Sequence, residues 1–275
     1  MTRSASADSL GDRMKHDYEN RTRFFLPRRT YTLLRVDGKS FHTYTKHCAR
    51  PFDTDLMSDM DTAAIALCEN IAGARLAFVQ SDEISVLLTD FGQIAGGDSP
   101  GDTHSEAWFD GNLQKIASVS ASIATVHFNA ARARRGDSAN TPAYFDSRVW
   151  TIPSRLEVFH YFLWRQNDAT RNSISMTAQA HFLHSDLQNK NSNALQEMLW
   201  QERGINWNDI SVGFKRGRII ERVGTVGTAE YTDKRTGEAR QVENVTRHSW
   251  QVTEPPVFAQ ERDYLLARIP AMDGA

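Results

Sequence analysis

Apolar and polar positions alternate along the chain in an order that predicts its architecture. Residues 31–36 form an apolar strand (Leu33, Leu34, Val36) that breaks at Asp37-Gly38 into the polar, basic and aromatic run "KSFHTYTK". From Pro51, the residues Phe52, Leu56, Met60, Ala63, Leu67 and Ile71 recur at helical spacing and predict an amphipathic helix. Two apolar runs, Leu76 to Val79 and Ile84 to Leu88, flank the polar tetrad Gln80-Ser81-Asp82-Glu83 and predict a β-hairpin. The stretch "GQIAGGDSPGDTHSEAW" reads as a loop from its Gly, Ser and Asp content. A second helix is predicted where Ile116, Val119, Ser120, Ile123 and Val126 share a face, and "SRVWTIP" supplies a fourth strand stopped by Pro153.

Strand, helix, strand, strand, helix, strand is the split βαβ order of a ferredoxin-like α+β fold, an antiparallel sheet with helices on one face. Its first two strands run parallel, with the third inserted antiparallel between them after a right-handed crossover. This topology has a chemical consequence. The end of the first strand, with Asp37, and the turn after the second, with Asp82 and Glu83, must meet at one sheet edge although the two aspartates lie 45 positions apart. Asp-Gly and Ser-Asp-Glu are each ordinary turn chemistry taken alone. Crowded carboxylates repel unless a cation compensates, and hard oxygen ligands suit Mg2+, which keeps several waters and takes phosphate oxygens as further ligands. Gly38 lets the backbone carbonyl approach the same ion.

Composition narrows the partners. At 275 residues and 40% hydrophobic content the chain can fill a sizeable core. A formal net charge of −2 excludes a globally basic nucleic-acid binder, so any such partner must be met by local patches. Candidates are Arg21, Arg23, Arg28 and Arg29, then Arg132, Arg134 and Arg135, then Lys215, Arg216 and Arg218. Two cysteines without metal-ligand spacing predict a reducing compartment and no zinc site. With no apolar leader and no run of some 18 apolar residues, the sequence predicts a soluble, cytoplasmic protein with no membrane partner.

Five stretches carry a family resemblance: "RVDGKSFH" (35–42), "ARPFD" (49–53), "QSDEIS" (80–85), "FDSRV" (145–149) and "YFLWRQNDATRNSI" (161–174). Their order and spacing resemble the tRNA-histidine guanylyltransferase family over roughly residues 10–220, and "GFKRGRII" is similar to a later family segment. The resemblance implies a palm domain like that of ordinary polymerases, running in reverse: nucleotides are added to RNA in the 3′-to-5′ direction. It implies adenylylation of a 5′-monophosphorylated RNA by ATP, attack by the 3′-hydroxyl of GTP or another nucleoside triphosphate, and removal of pyrophosphate. It further implies tRNA as partner and a homotetramer built as a dimer of dimers. Where the tRNA-histidine enzyme has "HINNLYN", this chain reads "TRNSISM", placing Thr170 and Ser175 at the histidine and tyrosine positions. The chain thus resembles the bacterial-type subgroup, for which templated repair of 5′-truncated tRNA is implied. Arg50 stands for the lysine of the family's "KPND" and Phe52 for its asparagine.

Roles follow on this reading. Asp37, Asp82 and the Gly38 carbonyl are expected to hold two or more Mg2+ ions across triphosphate oxygens, with Glu83 a supporting acid. Lys39, Ser40, Phe41 and His42 follow the metal loop, where amides and basic groups suit phosphate; Phe41 is the one with a core reading as well. Ser81, Arg50 and Lys115 complete the expected nucleotide contacts, Lys115 lying near a helix start whose dipole favours anions. Arg148, beside Asp146, suits either a surface pair or the RNA. The helix around "HYFLWRQNDATRNSISM" is loaded with polar groups, and Tyr161, Phe162 and Trp164 anchor it. Its Arg165, Asp168, Arg171 and Asn172, with Lys215 and Arg216 beyond it, are expected to bind RNA or the activating nucleotide.

The organisation expected is a palm catalytic domain over 1–160 and a helical and hairpin extension over 161–275 packed on it, or one continuous domain. A hairpin with Thr236-Gly237 near its turn is predicted past residue 220. Three other readings use the same residues: a histidine-specific guanylyltransferase, a palm-type nucleotidyl cyclase that needs no RNA, and a nucleic-acid-binding protein whose palm is inactive.

Overall fold

Strand-forming residues at 31–38 and 83–89 are buried on both faces, which requires layers on either side of the sheet they build. A computed structural model describes residues 9–91, 106–136, 141–232, 235, 237 and 239–272. In chain order the elements are α1 (Leu10–Asp17), β1 (Tyr31–Gly38), α2 (Phe41–Tyr44), α3 (Thr54–Asn70), β2 (Ala74–Gln80), β3 (Glu83–Thr89), α4 (Leu113–Arg134), β4 (Phe145–Ile152), α5 (Arg155–His181), α6 (His184–Leu187), α7 (Ser192–Arg203), α8 (Val212–Arg216), β5 (Arg218–Thr232), β6 (Ala239–Thr253) and α9 (Arg262–Leu266). Residues 92–105 of the expected loop, and Thr236 of the expected turn, lie outside the described residues. No described helix is long and apolar enough to cross a membrane.

The six strands form one sheet in the order β4-β1-β3-β2-β5-β6, every neighbour antiparallel. β3 therefore separates the parallel pair β1 and β2, as the split βαβ order requires. Alternation sorts the side chains. Leu34, Val36, Val79, Ile84 and Val86 face α3 and α4 and pack on Met60, Leu67 and Phe128. Tyr31, Leu33, Phe78 and Leu87 face α5 and pack on Phe159, Phe162 and Phe258. The two palm helices thus share one face as expected, and the extension covers the other. The boundary expected at 160/161 falls inside α5, and β5 pairs with β2 from Leu76↔Glu221 to Val79↔Arg218. Palm and extension therefore share a sheet.

Capping places the helix ends. Asp53 accepts from the Leu56 amide at 2.8 Å and the Ala49 amide at 2.9 Å, so α3 starts at Thr54 and leaves Pro51 and Phe52 in the preceding loop rather than in the helix. Asn112 caps α4 through the Lys115 amide at 3.0 Å. The buried stripe of α4 runs through Ile116, Ser120, Ala124 and Phe128. Val126, expected on that face, is exposed because it falls off the four-residue repeat.

Candidate active site

The site forms where β1 ends and the β2–β3 hairpin turns. Asp37 pairs in register with Glu83 on one side and Asp146 on the other, and the Gly38 amide donates to the Asp82 carbonyl at 3.1 Å. The turn is two residues long because Gln80 pairs directly with Glu83; Ser81 takes a left-handed φ of 46° to close it. Gly38 has a second reason to be glycine. A Cβ there would stand 2.2 Å from the Phe41 ring, which packs on Tyr44, Phe128 and Phe145 beneath the loop. Phe41 is thus a core residue whose ring floors the carboxylate loop.

A cavity of about 560 Å3 opens at this edge. Asp37, Gly38, Gln80, Ser81 and Asp82 line one end, Ser40, Phe41, His42 and Arg50 a second side, and Asn172, Met176 and Gln179 of α5 a third. Phe52 and Phe214 complete it, stacked on each other at 4.7 Å and 16°. That volume admits a nucleotide, and the wall combines acidic, basic and apolar side chains.

Burial pushes the Asp82 carboxyl above its ordinary range, and the Asp37 charge adds to this against hydrogen bonds from its own amide and from Ser81. Asp82 makes no ion pair among the described residues; Arg148 stands 4.0 Å from Asp37 and 3.6 Å from Asp146. Among the described residues no group of three or more His, Cys, Asp or Glu side chains is arranged to hold a metal ion. The chain offers instead two carboxylates and a carbonyl, a hard oxygen set short of a full shell. That fits Mg2+, whose remaining positions fall to water and phosphate.

Several expected contacts are elsewhere. Arg165 is 5% exposed and binds both oxygens of Glu83, at 2.7 and 2.8 Å, with Asp168 a further 3.1 Å partner. Glu83 points to the α5 face with Arg35 3.7 Å away; burial raises its carboxyl against the pull of Arg165. Arg165 and Glu83 are therefore a buried structural pair, and neither they nor Asp168 line the cavity. Arg171 is exposed and paired with Asp168. Trp164, expected as an anchor, is half exposed with Arg165 over its ring, whereas Tyr161 is buried and hydrogen-bonded to Ser85 at 2.8 Å. Lys215 is buried, donating to the Asn208 carbonyl at 2.5 Å over the Trp207 ring, and Arg216 lies over the same ring.

Lys115 lies at the end of the sheet opposite the site. β3 begins at the site and runs away from it, so α4 must start at the far end: Asn112 bridges to Phe25, before β1 begins. Lys115 sits there with its Nζ 5.8 Å over Phe109. The site end of α4 carries Arg132, 3.4 Å from His47. Lys39 is exposed and off the cavity, with its amide committed to the Tyr144 carbonyl. Thr170 bonds back to Gln166 within α5, and neither it nor Ser175 lines the cavity.

Sequence reasoning missed Gln80, Met176, Gln179 and Phe214 as cavity walls, along with the Arg218–Asp61 pair at 2.6 Å that ties β5 to α3 beside them. Phe52 had a signal, as the departure from "KPND". Arg218 had one too, at the start of an apolar strand.

The family model described as tRNAHis guanylyltransferase matches residues 11–153. The chain is 41% identical to a bacterial tRNA(His) guanylyltransferase-like protein solved in complex with ATP, covering 95% of this chain and 99% of that one at a TM-score of 0.78. A bacterial protein of the same description, solved in complex with GTP, is 40% identical over 96% and 100% at a TM-score of 0.74. The tRNA(His) guanylyltransferase of Debaryomyces hansenii is 28% identical over 218 residues, 74% of this chain and 77% of its own.

Proposed function

The chain belongs to the tRNA(His) guanylyltransferase family of nucleotidyltransferases, and from that premise we propose that it restores the 5′ end of truncated tRNA by templated 3′-to-5′ nucleotide addition. The observation that carries this reading is that Asp37 and Asp82 meet in the wall of a nucleotide-sized cavity. The bacterial guanylyltransferase-like relatives support it: they hold ATP and GTP and match nearly the whole chain at 40–41% identity, against 28% over 74% for the Debaryomyces enzyme.

In this reading the 5′ phosphate of the RNA is first adenylylated by ATP, with loss of pyrophosphate. The 3′-hydroxyl oxygen of an incoming triphosphate then attacks that phosphorus and adenylate leaves. Asp37, Asp82 and the Gly38 carbonyl would hold Mg2+, which when bound offsets charge developing on the transferred phosphoryl oxygens. Arg50 and His42, on the cavity wall, are placed to meet the triphosphate, Arg50 through a charge-assisted hydrogen bond. The Phe52–Phe214 pair gives the base an apolar surface. The Arg165–Glu83 pair fixes the turn behind Asp82, so the carboxylates are oriented before substrate arrives.

The test is incubation of the purified protein with Mg2+, ATP, labelled GTP and a tRNA lacking its first nucleotide, where the missing position pairs with cytosine, followed by sizing of the RNA. Extension by one labelled nucleotide is expected. Turnover of triphosphate with no change in the RNA would instead support a cyclase.

A further inference from the structure

Gln80 is 5% exposed, and its amide oxygen is buried with no hydrogen-bond partner among the described residues, yet the residue lines the cavity. A buried amide oxygen without a partner costs the full desolvation of that group, so its retention points to a partner that arrives later. Alternation puts Gln80 on the α5 face, two residues after Phe78 and opposite Glu83. On that face Glu83 and the nearby Ser173 are already committed, while the Nε of Arg35, held beside Glu83, is itself buried without a partner among the described residues. Both Glu83 oxygens take Arg165; the Ser173 hydroxyl donates to the Thr170 carbonyl at 2.9 Å and the Lys215 carbonyl at 3.3 Å and accepts from the Trp207 indole at 3.1 Å.

The missing partner is a donor or a cation. Triphosphate and carboxylate oxygens only accept, so they do not satisfy an amide oxygen beside Asp82. On a nucleotide whose phosphates lie at the carboxylates, the nearest donors along the molecule are the ribose hydroxyls. We propose that Gln80 is a specificity-determining residue whose side-chain oxygen accepts a hydrogen bond from a ribose hydroxyl of the bound nucleoside triphosphate. This rests on the nucleotide reading of the cavity.

The test uses the full chain with Mg2+ and compares binding of ATP, 2′-deoxyATP and 3′-deoxyATP to the wild type and to Gln80→Met, a near-isosteric apolar replacement. The wild type should bind one deoxy analogue about five-fold more weakly than ATP, the worth of one neutral hydrogen bond. Gln80→Met should lose a similar factor for ATP and no longer distinguish that analogue. Without nucleotide it should melt close to the wild type, which separates lost recognition from lost folding. Gln80→Met retaining the wild-type ratios, losing affinity equally for all three, or melting lower without nucleotide would overturn the assignment. A wild type that binds none of the three would remove the nucleotide reading of the cavity together with this proposal.

Discussion

The Gly38 amide donates to the Asp82 carbonyl at 3.1 Å, so the end of β1 and the β2–β3 turn are joined through the backbone as well as by strand register. The carboxylates of Asp37 and Asp82 are held together by the sheet, against their own repulsion. Removing one should therefore cost chemistry and not structure. Asp37→Ala and Asp82→Ala are expected to lower nucleotide addition by orders of magnitude while keeping the circular dichroism spectrum and melting cooperativity of the wild type. Either variant at full activity would remove the metal role.

Stability should follow the sign of the Asp82 shift. Its folded-state pKa is raised, by burial first and by Asp37, so the ionised form strains the fold at neutral pH and protonation relieves it. Asp82→Asn, without divalent metal, should melt at or above the wild type at pH 7. That advantage should shrink as pH falls through the raised folded value and vanish below about 3.9, the ordinary aspartate value. Melting curves across this range decide it; an advantage that grows toward acid pH contradicts the shift.

Arg165 separates two accounts of α5. As the buried partner of Glu83, its loss leaves an uncompensated charge: Arg165→Ala should destabilise by roughly 3–5 kcal/mol, measured by denaturant titration, and the Arg165→Met/Glu83→Gln double variant should recover much of this. A residue that only met RNA phosphate would leave stability unchanged and change the dependence of binding on salt.

Arg50 and Lys115 make a matched pair. Arg50 lines the cavity and Lys115 sits at the far end of α4. Arg50→Ala should raise the apparent KM for triphosphate through loss of a charge-assisted contact, and Lys115→Ala should leave it unchanged. Equal effects from both would mean the triphosphate lies elsewhere.

The element order was legible because it rests on periodicity and turn chemistry, and the convergence of Asp37 with Asp82 followed from topology alone. The same topology also fixed the direction of α4, which puts Lys115 away from the site; reading the helix start as an anion site ignored which sheet edge it begins on. The charges of α5 were legible as a polar load, but their destination was not. A guanidinium facing water and one clasping Glu83 share the same sequence pattern, and only the α5 face of β3, where Glu83 and Ser85 replace the apolar residues, distinguishes them. Phe214 and Gln179 reach the cavity through packing of α8 and the end of α5, contacts between distant segments that carry no local periodicity.

On the proposed function, the enzyme senses a missing 5′ nucleotide by stem shape, phosphate and pairing rather than by the histidine anticodon. The most direct measurement is kcat/KM for 5′-truncated tRNAs of several identities against intact tRNA-histidine, repeated with the opposing template base exchanged. Truncated tRNAs are expected to be preferred regardless of identity, and the nucleotide added is expected to change with the template base so that it stays Watson–Crick matched. A strong preference for intact tRNA-histidine, lost on swapping its anticodon, would contradict it.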